Sequence, residues 1–273
     1  MALTLGLVTD LHFGPEARFQ GKLRKLTHYA GDLTRAFVKT MNEEVRPDFI
    51  VNLGDDIEDE SRDLDLQRYE ECQAILRSAH APIVNVAGNH DTINLGRADL
   101  NRIWQQCEAP HGPLHYSFDR EDFHFVVLHT MEKKDVEVRI FEPQLQWLQN
   151  DLKHATLPTV VLMHHPASEQ NLDDSRWFQN ADHIAKVKER KDLRHIFEAS
   201  KKVRAVFNGH VHRNHFDVIA GIPYVTIQSL IENLEDDAPG RPSASYAVVH
   251  LSQERMLVRV RGNDPARYQV EFS

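Results

Sequence analysis

Only two cysteines, Cys72 and Cys107, occur in the 273 residues, and neither belongs to a CxxC pair. That scarcity argues against a disulfide framework and against a thiolate-bound structural zinc, and it fits a reducing compartment. No segment has the apolar length needed to span a bilayer. The N-terminal stretch MALTLGLVTD lacks a basic n-region and a small-residue cleavage site, and its apolar part is too short for a signal sequence, so a cytoplasmic protein is expected. Positive charge is in deficit too: 32 Lys and Arg stand against 41 Asp and Glu, a net charge of −9 with no basic cluster. A groove that tracks a nucleic-acid backbone is therefore not expected. A small nucleotide stays open, because a metal can supply positive charge locally. No repeat, low-complexity segment or linker divides the chain, so residues 1–273 read as one domain at the upper end of α/β sizes. A hydrophobic fraction of 41% is enough for a sizeable core.

Histidine is what the sequence has in quantity, with 17 residues. The stretch AVFNGHVHRNHF, residues 205–216, places His210, His212 and His215 within six positions. Its meaning depends on the rest of the chain. Apolar runs at 3–10, 48–55, 82–91, 159–166 and 203–210 each stop abruptly on polar residues and predict buried strands. Helices are predicted over 22–45, 64–79, 143–154, with Pro143 in the first turn, and 180–200. Residues 115–119 and 123–130 predict a hairpin. The last third, 214–272, reads as five short strands, interrupted by an acidic surface loop at 232–243. Strand and helix alternate through the first half, which argues for a parallel sheet covered by helices.

The strand ends share one property: each carries groups that bind metals. They are Asp10 and His12, then Gly54-Asp55, then Gly88-Asn89-His90-Asp91, then His164-His165, then Gly209-His210-Val211-His212. Sites in open α/β sheets form outside the carboxyl ends of strands, so five such ends on one edge would gather these groups into one cleft. Glycines before Asp55, Asn89 and His210 suit turns in which the backbone approaches closely. Imidazole and carboxylate ligands without thiolates suit Mn, Fe or Zn.

The ordered series DxH, GD, GNHD, HH and GHxH, spread over residues 10–212, resembles the calcineurin-like metallophosphoesterase superfamily. The resemblance implies a four-layer αββα sandwich of two mixed sheets flanked by helices. It implies two metal ions, Mn or Fe favoured over Zn. Asp10, His12 and His212 would hold one, Asn89, His164 and His210 the other, and Asp55 would bridge them. His90 would stabilise the transition state or protonate the leaving oxygen, so Asp55 and His90 carry the catalytic expectation. Asn89, His90 and His165 are the candidates to touch substrate. The implied reaction is phosphoester hydrolysis: two cations about 3.5–4 Å apart activate a water and polarise the phosphoryl oxygens. In some relatives the carboxylate that orients this histidine lies three residues beyond the bridging Asp. That position is Glu58 here, and a solvated acid in the run DDIEDE is the competing reading. Asp56 reads as structural or as support for a ligand.

The tail, GHVHRNHFDVIAGIPYVTIQSLIE with SYAVVHL and RMLVRVRG, resembles the subgroup of manganese-dependent ADP-ribose and CDP-alcohol diphosphatases. A phosphodiester or phosphoanhydride of a small nucleotide-like molecule is the first expectation. A phosphomonoester is the second. A nuclease or a scaffold with a vestigial site stands behind both. His165 is open between substrate contact and packing, and His215 reads as a sheet residue. His111 and His115, and Arg18 and Lys22, read as surface groups rather than substrate contacts. The Trp and Leu of LQWL read as core.

Overall fold

The computed structural model describes residues 2–104 and 113–272; Cys107 and His111 lie outside them. The strands are β1 (Leu3–Val8), β2 (Arg18–Phe19), β3 (Lys22–Leu23), β4 (Phe49–Asn52), β5 (Ile83–Asn85), β6 (Tyr116–Arg120), β7 (Phe123–Val127), β8 (Met131–Lys133), β9 (Glu137–Arg139), β10 (Thr159–Leu162), β11 (Val203–Asn208), β12 (His215–Ile219), β13 (Ile222–Thr226), β14 (Tyr246–Leu251), β15 (Arg255–Arg261) and β16 (Ala266–Glu271). The helices are α1 (Ala30–Thr40), α2 (Arg62–Leu76), α3 (Asn89–Ile93), α4 (Arg97–Ile103), α5 (Glu142–His154), α6 (Asp182–Ala185) and α7 (Arg190–Ser200).

Two six-stranded mixed sheets carry the fold, ordered β16-β15-β14-β1-β4-β5 and β12-β13-β11-β10-β7-β6. In the first, β1, β4 and β5 run parallel while β14 pairs antiparallel with β1. In the second, β7, β10, β11 and β13 run parallel, with antiparallel β6 and β12 at the edges. The period of two along each strand sets the layers. Leu3, Leu5, Leu7, Phe49 and Val51 pack with Phe125, Val160, Leu162 and Phe207 between the sheets. The intervening Ile50 and Val8 pack outward with Phe37, Met41, Tyr69 and Leu76 of the helical side. Val126, Val161 and Val206 do the same on the other side, under Leu148, Leu152, Leu193 and Phe197. The result is the αββα sandwich.

Five expectations change. The helix predicted from residue 22 starts at Ala30. Before it, Gln20 and Gly21, both at positive φ, turn a two-residue ribbon between β2 and β3, and Lys25 bridges Glu232. Those partners are 200 residues away, so the local helical spacing of Leu23 and Leu26 is overridden. The helix predicted over 180–200 is two, α6 and α7. The strand-rich tail is divided: β12 and β13 join the second sheet, and β14 to β16 join the first. The acidic loop begins indoors, because Glu232 and Asn233 are buried. The cleft also differs from the one-edge picture. It forms where the carboxyl ends of β1, β4 and β5 from one sheet meet those of β10 and β11 from the other.

Candidate metal centre and cleft

Short backbone links stitch the strand ends together. Asp10 N–H donates to Gly54 O (2.9 Å), Leu11 N–H to Asp55 O (2.8 Å) and Gly209 N–H to His164 O (3.1 Å). The sheets are joined where His210 N–H donates to Asp10 Oδ2 (3.0 Å). Asp91 caps α3 and accepts the amides of Gly88, Asp55 and Asp56. Glycine is needed at two of these positions by proximity. A Cβ at Gly88 would overlap the Asp55 carboxylate, and one at Gly209 would overlap Thr9 Oγ1 and Asp10. Positive φ falls on the polar residues themselves: Asp10 (53°), His12 (46°), Asp55 (58°), His210 (69°) and His212 (52°). Non-glycine residues held in the left-handed region cost of order 1–3 kcal/mol each and cluster at functional sites.

The seven predicted ligands come together, all buried. His12 Nε2 lies 3.2 Å from His212 Nε2. Asp10 Oδ1 lies 3.3 Å from His212 Nε2 and 3.8 Å from His12 Nε2. Asp55 Oδ2 stands between the two groups, 3.8 Å from His12 Nε2 and 3.3 Å from His164 Nε2. Asn89 Oδ1 is 3.2 Å from His164 Nε2. The outer faces of the rings are held by acceptors. His12 Nδ1 faces Glu58 (3.0 Å), His212 Nδ1 faces Glu232 (2.8 Å), His164 Nδ1 faces Leu53 O (2.8 Å) and His210 Nε2 faces Ile184 O (3.0 Å). Each outer nitrogen therefore donates, which leaves the other nitrogen of each ring as a lone pair aimed inward in the neutral form.

Such a set of converging acceptors is what a cation would satisfy. Asp10 Oδ1 is fully buried and accepts a hydrogen bond from no described residue. In the metal-free chain, protons take up part of this role. Burial disfavours the His164 imidazolium, but the Asp55 carboxylate outweighs it and lifts the pKa to about 10. Burial is likewise outweighed at His212, where Asp10 and Glu232 lift it to about 9. Burial and the Lys25 charge push His12 down to about 4, and burial with the His164 charge pushes His210 to about 3. Burial works against the charged form of Asp10 and Asp55 too, yet the imidazolium charges hold both carboxyls below the usual range.

Beside this centre lies a cleft of about 250 Å³ lined by Lys25, Glu58, Asp59, His90, Lys134 and Trp177, among others. His90 is 22% exposed, and its Nδ1 contacts Asp59 rather than Glu58. Glu58 instead joins His12 to Lys25, 2.7 Å from Nζ. The acid in contact with His90 is thus one residue later than the position the resemblance implied. Asp56 is buried among Asn52 and Gln73, behind the ligands, and burial raises its pKa to about 6. His165 is buried, bonded to Thr130 Oγ1 (2.7 Å), its ring 4.0 Å from that of His210. His215 starts β12, and His115 packs on Trp147. Arg18 and Lys22 pair with Asp237 and Asp236 outside the cleft lining. Lys25, Asp59, Lys134, Trp177 and Glu232 escaped the sequence reading. Only Asp59, next to Glu58 in the acidic run, had a local signal; the others reach the site through loops without a motif.

Fold and donor set define a class, the two-sheet phosphoesterases with a binuclear metal site. The calcineurin-like phosphoesterase family model matches residues 3–214, and the chain belongs to that family. A probable cyclic nucleotide phosphodiesterase of Psychrobacter arcticus is 24% identical over 179 residues, 64% of this chain and 60% of its own length. The chain thus spans less than two thirds of that relative. The mouse serine/threonine-protein phosphatase CPPED1 is 25% identical over 245 residues, 83% of this chain and 72% of its own. A crystal structure of a dimetal phosphatase from Danio rerio superposes with a TM-score of 0.77 at 20% identity and covers 99% of both chains. Membership of this family implies phosphoester hydrolysis with two metal ions.

Proposed function

We propose that residues 1–273 form one phosphoesterase domain that hydrolyses a phosphodiester or phosphoanhydride of a small nucleotide-like substrate in the cytoplasm. The observation that carries the reading is the position of Asp55 Oδ2, 3.8 Å from His12 Nε2 and 3.3 Å from His164 Nε2, beside a narrow cleft. Asp10, His12 and His212 would hold one ion, and Asn89, His164 and His210 the other, with Asp55 contributing to both. Manganese or iron is favoured, because hard carboxylate and amide oxygens sit beside imidazoles. When bound, the ions supply an activated water and positive charge for the phosphoryl oxygens.

The chain's own side chains do the rest. Glu58 and Glu232 fix the tautomers of His12 and His212. Asp59 fixes His90 through Nδ1 and turns Nε2 to the cleft, where it can give a proton to the leaving oxygen. Asn89 and His90 border the same space and would touch the scissile phosphate, whereas His165 lies too deep and supports His210 instead. No helix among the described residues is long and apolar enough to cross a membrane. The cyclic-nucleotide relatives favour a nucleotide diester, and the ADP-ribose and CDP-alcohol resemblance of the tail favours a phosphoanhydride. A phosphomonoester is the second reading, favoured by the relatives named as protein phosphatases.

The test is turnover by manganese-loaded protein of cyclic AMP, ADP-ribose, CDP-choline, a simple phosphodiester, a phosphomonoester and single-stranded DNA. Diester or anhydride turnover is expected to lead. No turnover of any member with two metals bound would overturn the reading. Asp55→Asn is expected to abolish turnover and to weaken both metals; full activity would refute its shared role.

A further inference from the structure

Lys25 is 95% buried, an expensive place for an ammonium unless its charge is used. Its backbone is pinned by the bridge to Glu232, and its Nζ lies 2.7 Å from Glu58 Oε2 and 3.5 Å from His90 Nε2. It also passes 3.3 Å from His12 Nδ1. That nitrogen already donates to Glu58 when His12 offers Nε2 inward, so it accepts nothing from Lys25. An ammonium has three donors. Glu58 takes one, His90 Nε2 as a donor takes none although it stands 3.5 Å away, and the group borders the cleft. Trp177, with its ring centroid 5.3 Å from Nζ, covers the ammonium from the other side. The ion pair with Glu58 alone does not explain the position. A lysine placed only to neutralise Glu58 has no reason to approach the nitrogen of His90 that faces substrate.

We propose that Lys25 is a catalytic residue: its ammonium donates to a phosphoryl oxygen of the substrate next to the oxygen that His90 addresses. This rests on the phosphoesterase reading. Two donors 3.5 Å apart span neighbouring oxygens of one phosphate, and the ammonium of Lys25 attracts the charge spread over the equatorial oxygens in the transition state. Glu58 then has two tasks, fixing the tautomer of His12 and aiming Lys25.

The proposal is tested on manganese-loaded protein by calorimetric titration with inorganic phosphate, alongside metal analysis and turnover. Lys25→Met is expected to keep two manganese ions per chain, to weaken phosphate by at least about tenfold, and to lower kcat more than it raises KM. Lys25→Met with Glu58→Gln removes both partners of the buried pair and guards against misfolding; compared with Glu58→Gln alone at saturating manganese, the same loss of phosphate affinity is expected. Lys25→Arg should restore part of it. Phosphate affinity within twofold of wild type in either methionine variant, with both metals present, would overturn the proposal. So would loss of manganese in Lys25→Met under conditions that load the wild type, which marks a purely structural lysine. A wild type that binds phosphate but turns over no ester would instead overturn the phosphoesterase reading, and the two failures are separate.

Discussion

Glu58 and Asp59 are adjacent acids with different partners, and they predict opposite phenotypes. Glu58 accepts from the outer nitrogen of His12, so Glu58→Gln should weaken metal retention, about 10–100-fold in affinity. Asp59 touches His90 and no predicted ligand. Asp59→Asn should leave two metals in place and lower turnover, most for substrates with poor leaving groups. Equal losses across leaving groups, followed by a linear free-energy series, would count against proton donation by His90. Gly209 is a second sharp case. Any Cβ there collides with Thr9 and Asp10, so Gly209→Ala should cost metal binding before it costs folding. Metal stoichiometry against melting temperature reads the difference.

Among the elements, the β6–β7 hairpin is tied to α5 through Asp151, which accepts from Ser117 Oγ (2.6 Å) and faces His124. His124 faces Asp119 through Nδ1 (2.6 Å) and Asp151 through Nε2 (2.8 Å). Burial pulls the imidazole down, but the bonds to Asp151 and Asp119 outweigh it and its pKa stands above the ordinary value. Burial pushes Asp151 up, and His124 outweighs it to hold that carboxyl below the ordinary value. A raised imidazole stabilises the fold fully below the unfolded pKa of about 6.5, and that stability fades as pH rises through the folded value. A lowered carboxylate stabilises above about 3.9, and its contribution fades as pH falls through the folded value. The tie is therefore strongest in mildly acid solution. His124→Phe should cost most melting temperature near pH 5–6, and a loss that grows toward pH 9 would refute the account.

At the scale of the whole molecule, the centre holds the two sheets together. In the metal-free chain His164 and His212, with pKa values of about 10 and about 9, carry protons at neutral pH, and His12 and His210 do not. Ligation needs neutral imidazoles, so metal loading at pH 7 should release at least about two protons per chain, one more where a bound water ionises, read by calorimetry in buffers of different ionisation enthalpy. No release would place the metals elsewhere. Because the ligands come from both sheets, chelation should lower the melting temperature of the entire domain rather than fray one edge; at metal a hundredfold above Kd the difference is about 2.7 kcal/mol per ion.

Much of this was legible in the chain. The motif DxH, GD, GNHD, HH, GHxH named the seven residues that converge, because each lies within a few residues of a strand end, where local sequence fixes the turn. The apolar run at 3–10 likewise predicted the buried strand β1. What local sequence could not decide was everything set by long-range pairing. The segment at residues 18–26 displaced the start of α1 because its neighbours come from residues 231–237. Glu232 reached His212, and Lys25 reached His90, through loops whose composition reads as surface. The orienting acid fell at Asp59 rather than Glu58 because a one-residue step along a loop changes which ring a carboxylate meets, and only packing selects between them. Spacing along the chain determines which groups lie at strand ends; the register between two sheets determines which of those groups, and which outsiders, share a cleft.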